Sequence, residues 1–136
     1  ARHPGRQKPI ELNCGNSATT LRLLAGALAA WGQPAILTGS TGLQRRPMNR
    51  IVEPLQQMGV EIQATAGCAP LILGSSILPL RGMSHWLKVA SAQVKSCLML
   101  AALSGDRPTM IYEPGPSRDH SERMLGSMGV KVQTGR

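Results

Sequence analysis

Four short segments carry side chains able to bind or transform a charged ligand, and each falls where a loop runs into a helix. The first is Asn16-Ser17-Ala18-Thr19-Thr20-x-Arg22. Ser17 is placed to cap a helix, and the unpaired backbone N–H groups of the first turn attract an anion together with the positive end of the dipole. Arg22 follows one turn in; the alternative is an ordinary cap beside a surface arginine. The second is Gln44-Arg45-Arg46-Pro47. A guanidinium can clamp a carboxylate or phosphate through two parallel hydrogen bonds, which a lysine cannot reproduce. Taken alone, this basic pair reads as a solvated turn. The third, Ser91-Ala92-Gln93-x-Lys95-Ser96, offers a hydroxyl, an amide and N–H donors at another helix start, with Lys95 one turn along and a plain cap as its alternative. The fourth is Ser117-Arg118-Asp119-His120-x-Glu122-Arg123-Met124-Leu125. Asp119, His120 and Glu122 have catalytic side-chain types, but residues packed into one turn imply no Ser-His-Asp geometry. Asp119 and Glu122 read instead as a first-turn acidic cap and a helix-face pair.

The elements that position these segments follow from spacing. Ser17 to Trp31 is predicted as a helix, with Leu21, Leu24 and Leu28 recurring on one face and Gly32 and Pro34 ending it. Ala35-Ile36-Leu37-Thr38 is a short strand before a Gly-Ser-Thr-Gly turn. Pro47 opens a second helix that turns Met48, Ile51, Val52, Leu55 and Met58 inward and stops at Gly59. Residues 60–64 alternate as a strand, and further strands are expected near 70–73 and 85–89. Ser91 to Leu103 is a helix apolar all round, followed by a strand at 109–112, a turn at 113–118 and a helix at 119–128. A closing strand is expected to open at Val130.

The second half repeats the first. Met58-Gly59-Val60-x-x-Gln63 recurs as Met128-Gly129-Val130-x-x-Gln133, and Ser17-Ala18 recurs as Ser91-Ala92, with Leu24/Leu98 and Ala27/Ala101 in step. Such a repeat of helix, strand, helix and strand predicts quasi-symmetric units that share a core. The two Ser-Ala helix starts and the two arginine-bearing turns then take equivalent places. Convergence of such starts favours a small phosphorylated ligand over a nucleic-acid groove.

Composition sets the outer bounds. The chain has 136 residues, 15 Lys and Arg against 7 Asp and Glu, and a formal charge of +8, so it needs anionic company or a solvated tail such as Arg2, Arg6 and Lys8. Aromatics total 2% (Trp31, Trp86 and Tyr112), too few for a base-stacking platform. No apolar run nears the roughly 20 residues that span a bilayer. The odd cysteines, Cys14, Cys68 and Cys97, form no C-x-x-C pair, which argues for a reducing compartment and against both a disulfide framework and a zinc site. The chain opens on Ala with no targeting segment and ends on what reads as a strand just begun, so a fragment is expected.

At these same four segments the sequence resembles 5-enolpyruvylshikimate-3-phosphate synthase. Gly15-Asn16-Ser17-Ala18-Thr19-Thr20-x-Arg22 is similar to that family's Gly-Asn-x-[Gly/Ala]-Thr-x-x-Arg segment, and Arg46-Pro47-Met48 to its Arg-Pro-[Met/Ile] segment. Ala90 to Ser96 and Ser117 to Leu125 match the other two in order and spacing. The resemblance runs from about Leu12 to Val132 and covers part of the N-terminal lobe. It implies an α+β fold of repeated βαβαββ units, the alpha-beta prism type, in an incomplete lobe. The expected divisions are a basic segment at 1–11 and two units at roughly 12–75 and 76–136.

The resemblance further implies transfer of the enolpyruvyl group of phosphoenolpyruvate to the 5-hydroxyl of shikimate 3-phosphate, with release of phosphate, in the cytoplasm. No metal or organic cofactor is implied, and no nucleic-acid or membrane partner. By the same resemblance Ser91, Ala92, Gln93 and Arg118 contact shikimate 3-phosphate, whereas Arg46, Ala18, Thr19 and Gln93 contact phosphoenolpyruvate. Asn16 and Arg22 shape the site, and His120 takes no role. Many members carry Gly where Ala18 stands and are inhibited by glyphosate, so Ala18 implies comparative insensitivity. The family's N-terminal Lys-Ser…Arg element and the proton-transfer groups of the second lobe have no counterpart, so no catalytic residue is expected here and no turnover by the chain alone. The rivals are a UDP-N-acetylglucosamine enolpyruvyl transferase, whose catalytic cysteine loop is not matched by Cys68 or Cys97, and a basic nucleic-acid-binding α/β module.

Overall fold

The computed structural model of the chain describes residues 8–135; Arg2 and Arg6 of the basic segment lie outside the described residues. Its elements are β1 (Ile10–Asn13), α1 (Ala18–Trp31), β2 (Ala35–Thr38), a 3-10 turn at Leu43–Arg45, α2 (Asn49–Gln57), β3 (Ile62–Thr65), β4 (Cys68–Leu73), β5 (Ser84–Trp86), α3 (Ala92–Ala102), β6 (Met110–Tyr112) and α4 (His120–Ser127). The first four strands form one sheet in the order β1-β2-β4-β3, parallel between β1 and β2 and antiparallel elsewhere. The last two, β5 and β6, pair in parallel as a separate ribbon.

Period-two burial seats the larger sheet on the helices. Ala35 and Leu37 of β2 and Ala69, Leu71 and Leu73 of β4 point inward, while Ile72 faces out. Each Leu or Ile so buried contributes about 1.5–3 kcal/mol relative to an exposed one. In α1 the inward set is Ala18, Leu21, Ala25, Gly26, Leu28 and Ala29, one helical stripe. Its small members let α1 lie against α3: a Cβ on Gly26 would sit 2.2 Å from the Cys97 carbonyl oxygen. The helix ends at Gly32, whose φ of 77° suits a residue without Cβ. The inward side chains of the second helix are those expected, with Met48, Ile51, Leu55 and Met58 almost wholly enclosed.

Three expectations need correction. A strand, β1, precedes α1 where residue spacing predicted no element, in keeping with the βαβαββ order that the resemblance implies; it forms because β2 supplies a parallel edge, Ile10 to Ala35 through Asn13 to Thr38. The expected strand near 85–89 is shorter and earlier, at Ser84–Trp86. Residues 130–135 form no strand at all. Their counterpart in the first half, β3, pairs only with the β4 that follows it. Among the described residues β6 has one neighbour, β5, whereas β2 has two.

Candidate functional site

The start of α1 is built by short-range bonds. Asn13 Oδ1 accepts from the Gly15 N–H at 2.8 Å, and Gly15 takes φ +61°. Ser17 Oγ then accepts from the Thr20 N–H at 3.1 Å and caps the helix. Parallel pairing of β1 with β2 brings the next loop alongside: Ser40 N–H donates to the Gly15 carbonyl at 2.8 Å, and the Ser40 hydroxyl donates to Asn16 Oδ1 at 2.8 Å. Asn16 therefore ties the helix start to the loop that leads to Arg46. Gly39 in that loop has no room for a side chain, since a Cβ would lie 2.3 Å from Leu43 Cδ2 and 2.5 Å from the Gly15 carbonyl oxygen.

The start of α3 is made alike. Ser91 Oγ accepts from the Val94 N–H at 3.3 Å. Three of the four sequence segments then meet through side chains. Gln93 Nε2 donates to Thr19 Oγ1 at 2.8 Å, Arg22 donates through one guanidinium nitrogen to Gln93 Oε1, and its other terminal nitrogen donates to the Pro47 carbonyl at 3.3 Å. Thr19 and Gln93 hold corresponding places after the two Ser caps, so the internal repeat places them face to face across the α1–α3 contact. Arg22 is half-buried. Burial, then the charges of Arg46 and Arg50, push its guanidinium below the usual arginine range. None of these three arginines has a carboxylate within ion-pair distance among the described residues. Uncompensated positive charge on an open face, beside two Ser-capped helix starts, is an arrangement able to hold a small multiply charged anion.

The remaining predicted residues sit as follows. Ser91 and Ala92 stand beside Gln93 and are half-buried, whereas Arg45 and Arg46 are exposed. Ala18 is 3% exposed and belongs to the core, so its methyl does not reach solvent. Arg118 is exposed in the turn before α4 and has no bond to the Arg22–Gln93 group among the described residues. Asp119 does make the helix-face pair, with Arg123 Nε at 3.0 Å, although its side chain caps no N–H.

Two readings of the third and fourth segments are overturned. Lys95 is not a cation offered to a ligand: it is 5% exposed and ion-paired with Glu113 at 3.2 Å and Glu122 at 2.8 Å. Burial alone would lower its ammonium pKa, but hydrogen bonds and charges from the two carboxylates outweigh that and raise it. Glu122 accordingly reaches across to α3 instead of pairing along its own helix. A lysine inside a helix apolar all round was the signal, because such an ammonium must find carboxylates. Glu113 and Ser40 carried no comparable signal.

Two cavities flank this face without coinciding with it. One of about 350 Å³ lies among Met99, Ile111, Glu113, Glu122 and Leu125; the other, about 650 Å³, lies among Arg50, Glu53, His85 and Trp86. No three His, Cys, Asp or Glu side chains among the described residues group as metal ligands. Burial pushes the Cys97 thiol up to about 12 and raises that of Cys14, which suits core residues and not nucleophiles. Trp86 stacks on Tyr112 with ring centroids 4.8 Å apart, so the two aromatics spend a face on each other. No helix among the described residues is long and apolar enough to cross a membrane.

Repeated strand–helix units with capped helix starts, beside a cluster of arginines, define an α+β fold. Residues 2–136 match the family model of EPSP synthase (3-phosphoshikimate 1-carboxyvinyltransferase), and the chain belongs to that family. It is 51% identical over 128 residues to the 3-phosphoshikimate 1-carboxyvinyltransferase of Acidithiobacillus ferrooxidans (strain ATCC 53993 / BNL-5-31), covering 94% of this chain and 29% of that protein. The enzyme of the same name from Coxiella burnetii (strain CbuG_Q212) is 54% identical over 133 residues, covering 95% of this chain and 30% of its own. A solved structure of EPSP synthase from Acinetobacter baumannii superposes with a TM-score of 0.88 at 43% identity, over 93% of this chain and 28% of that one. The chain thus spans less than a third of the relatives it matches.

Proposed function

We propose that the chain is part of an enzyme that transfers the enolpyruvyl group of phosphoenolpyruvate to the 5-hydroxyl of shikimate 3-phosphate, in the cytoplasm and with no metal or organic cofactor. It makes up two repeat units of an N-terminal lobe, at roughly 12–75 and 76–136 after the basic segment 1–11, and its partner is the second lobe of the same polypeptide. The observation that carries this reading is the Thr19–Gln93–Arg22–Pro47 network near Arg46, which has no ion-pair partner among the described residues. Arg46 clamps the phosphoenolpyruvate, with Thr19 and the helix start at Ala18 beside it. Ser91, Ala92 and Arg118 hold shikimate 3-phosphate, and Gln93, whose amide already joins both helices, touches both substrates. Asn16 and Arg22 keep the two starts in register. Because guanidinium groups stay protonated at any working pH, they neutralise phosphate and carboxylate charge without exchanging protons. Proton transfer at the reacting atoms then falls to the other lobe.

Titration of the chain with shikimate 3-phosphate, followed by NMR, tests the proposal. The backbone signals of Ser91 to Gln93 should shift saturably, Gln93→Ala should weaken binding, and both substrates together should give no phosphate release. Duplex DNA should be lost near 200 mM salt, since counterion release dominates that kind of binding. Turnover by the chain alone, no response to shikimate 3-phosphate, or DNA binding that survives the salt would overturn it.

A further inference from the structure

Lys95 is a buried charge in a helix that otherwise needs none. Cys97, Leu98 and Ala101 around it are fully enclosed, so α3 is a fixed rail, and an apolar side chain at 95 would be the simpler solution. The ammonium is occupied by Glu113 Oε2 at 3.2 Å and Glu122 Oε2 at 2.8 Å. Its side chain is only 6% exposed, which leaves it no direct access to a ligand in solvent. Its two partners lie on either side of Arg118 in the sequence: Glu113 just after β6, Glu122 in the first turn of α4. The segment between them is fastened twice more. The Ser117 hydroxyl donates to Glu113 Oε1, and the Ser121 and Ser96 hydroxyls share a hydrogen bond of 2.5 Å back to α3. Arg118 therefore rides on a ten-residue segment pinned at both ends to the helix whose first turn carries Ser91, Ala92 and Gln93.

We propose that Lys95 is a positioning residue: by gripping Glu113 and Glu122 it fixes the 113–122 segment on α3 and so aims Arg118 at the ligand held by Ser91 to Gln93. This rests on the reading of Arg118 as a shikimate 3-phosphate contact. A long exposed arginine in an untethered turn would lose side-chain and backbone freedom on every binding event, and tethering the turn in advance removes part of that cost. Without Lys95, two carboxylates would face each other in a mostly buried space, and their repulsion would drive the turn off the helix.

The test is a double-mutant cycle on the 136-residue chain, with shikimate 3-phosphate as the probe and NMR titration as the readout. Arg118→Ala should weaken binding by about tenfold or more, the scale of a lost charge-assisted contact. Lys95→Met should weaken it similarly, and the double variant should bind no worse than Arg118→Ala. In Lys95→Met, the Arg118 Nε–H signal should no longer respond to ligand, while the Ser91 and Gln93 backbone signals still do. Losses that multiply in the double variant, or an Arg118 signal that still responds, would overturn the proposal. If Lys95→Met does not fold, Glu113→Gln, which removes one of the two charges that Lys95 grips while keeping the side chain's shape, replaces it in the same cycle and the same outcomes decide. Failure of the unmodified chain to bind brings down the functional reading itself, whereas normal binding with multiplying losses brings down only the role of Lys95.

Discussion

Gly26→Ala sets two well-known effects against each other at the centre of this fold. Gly26 lies inside α1 and is buried, and alanine there should improve helix propensity by about 1 kcal/mol. The new Cβ, however, would stand 2.2 Å from the Cys97 carbonyl oxygen, 2.9 Å from its carbon and 3.0 Å from its Cα. These are backbone atoms of α3, which no rotamer change can move aside. Relief requires α1 and α3 to part by on the order of 1 Å, enough to forfeit a quarter to a half of the dispersion energy of atoms packed across the gap. Leu21, Ala25, Leu98 and Ala101, all fully enclosed, line this contact region. Overpacking of this kind costs about 1–3 kcal/mol, and with a rigid obstacle the upper half applies, so the net loss is about 1–2 kcal/mol. The thermal midpoint should fall by about 3–8 °C, and the Thr19–Gln93 hydrogen bond that depends on the helix approach should weaken with it. Gly126→Ala is the control, because it is also helical but a Cβ there meets nothing within 4 Å; it should leave the midpoint unchanged or raise it. Circular-dichroism melts of the three chains decide the matter. A Gly26→Ala chain as stable as the parent would show that α1 and α3 do not touch at this point, and the site geometry built on their contact would fall with it.

Three further outcomes are expected. In a complete enzyme of this family carrying these residues, Arg46→Lys should reduce kcat/KM by a factor equivalent to roughly 1.5–3 kcal/mol while Arg45→Lys stays near neutral, since only a guanidinium makes the bidentate clamp; equal effects would mean a solvated basic turn. In the same enzyme Ala18→Gly should lower the glyphosate inhibition constant with little change in the KM for phosphoenolpyruvate, because loss of the buried methyl loosens the packing of the helix start and lets it yield to the longer inhibitor; an unchanged constant would show that another residue discriminates. His85 is 4% exposed, its Nε2 has no hydrogen-bond partner among the described residues, and burial lowers its pKa from the ordinary 6.5, so the unfolded chain binds a proton that the native chain refuses. Stability should therefore drop as pH falls through 6.5 towards the depressed native value, and His85→Gln should flatten that part of a urea-midpoint profile; an identical profile in the variant would show that other groups set the acid limb.

Much of the fold is local enough to be read from the chain. The Ser17 and Ser91 caps, the Gly32 stop and the inward face of α2 all depend on residues within a turn or two of each other, where spacing alone selects the neighbour. The repeated Ser-Ala and Met-Gly-Val signatures gave the order of elements, and with it the equivalence of Thr19 and Gln93. What spacing could not give was anything whose partner lies far along the chain. β1 exists because β2 offers it an edge, whereas residues 130–135 pair with no strand among the described residues. Lys95 looked like an anion ligand until α4 and the end of β6 brought two carboxylates to it. Ala18 was expected beside the ligand, but in the fold its methyl packs into the core. A cap or a stop is decided by backbone geometry over a few residues, whereas pairing, burial and net charge at a point are sums over neighbours that only the folded chain assembles.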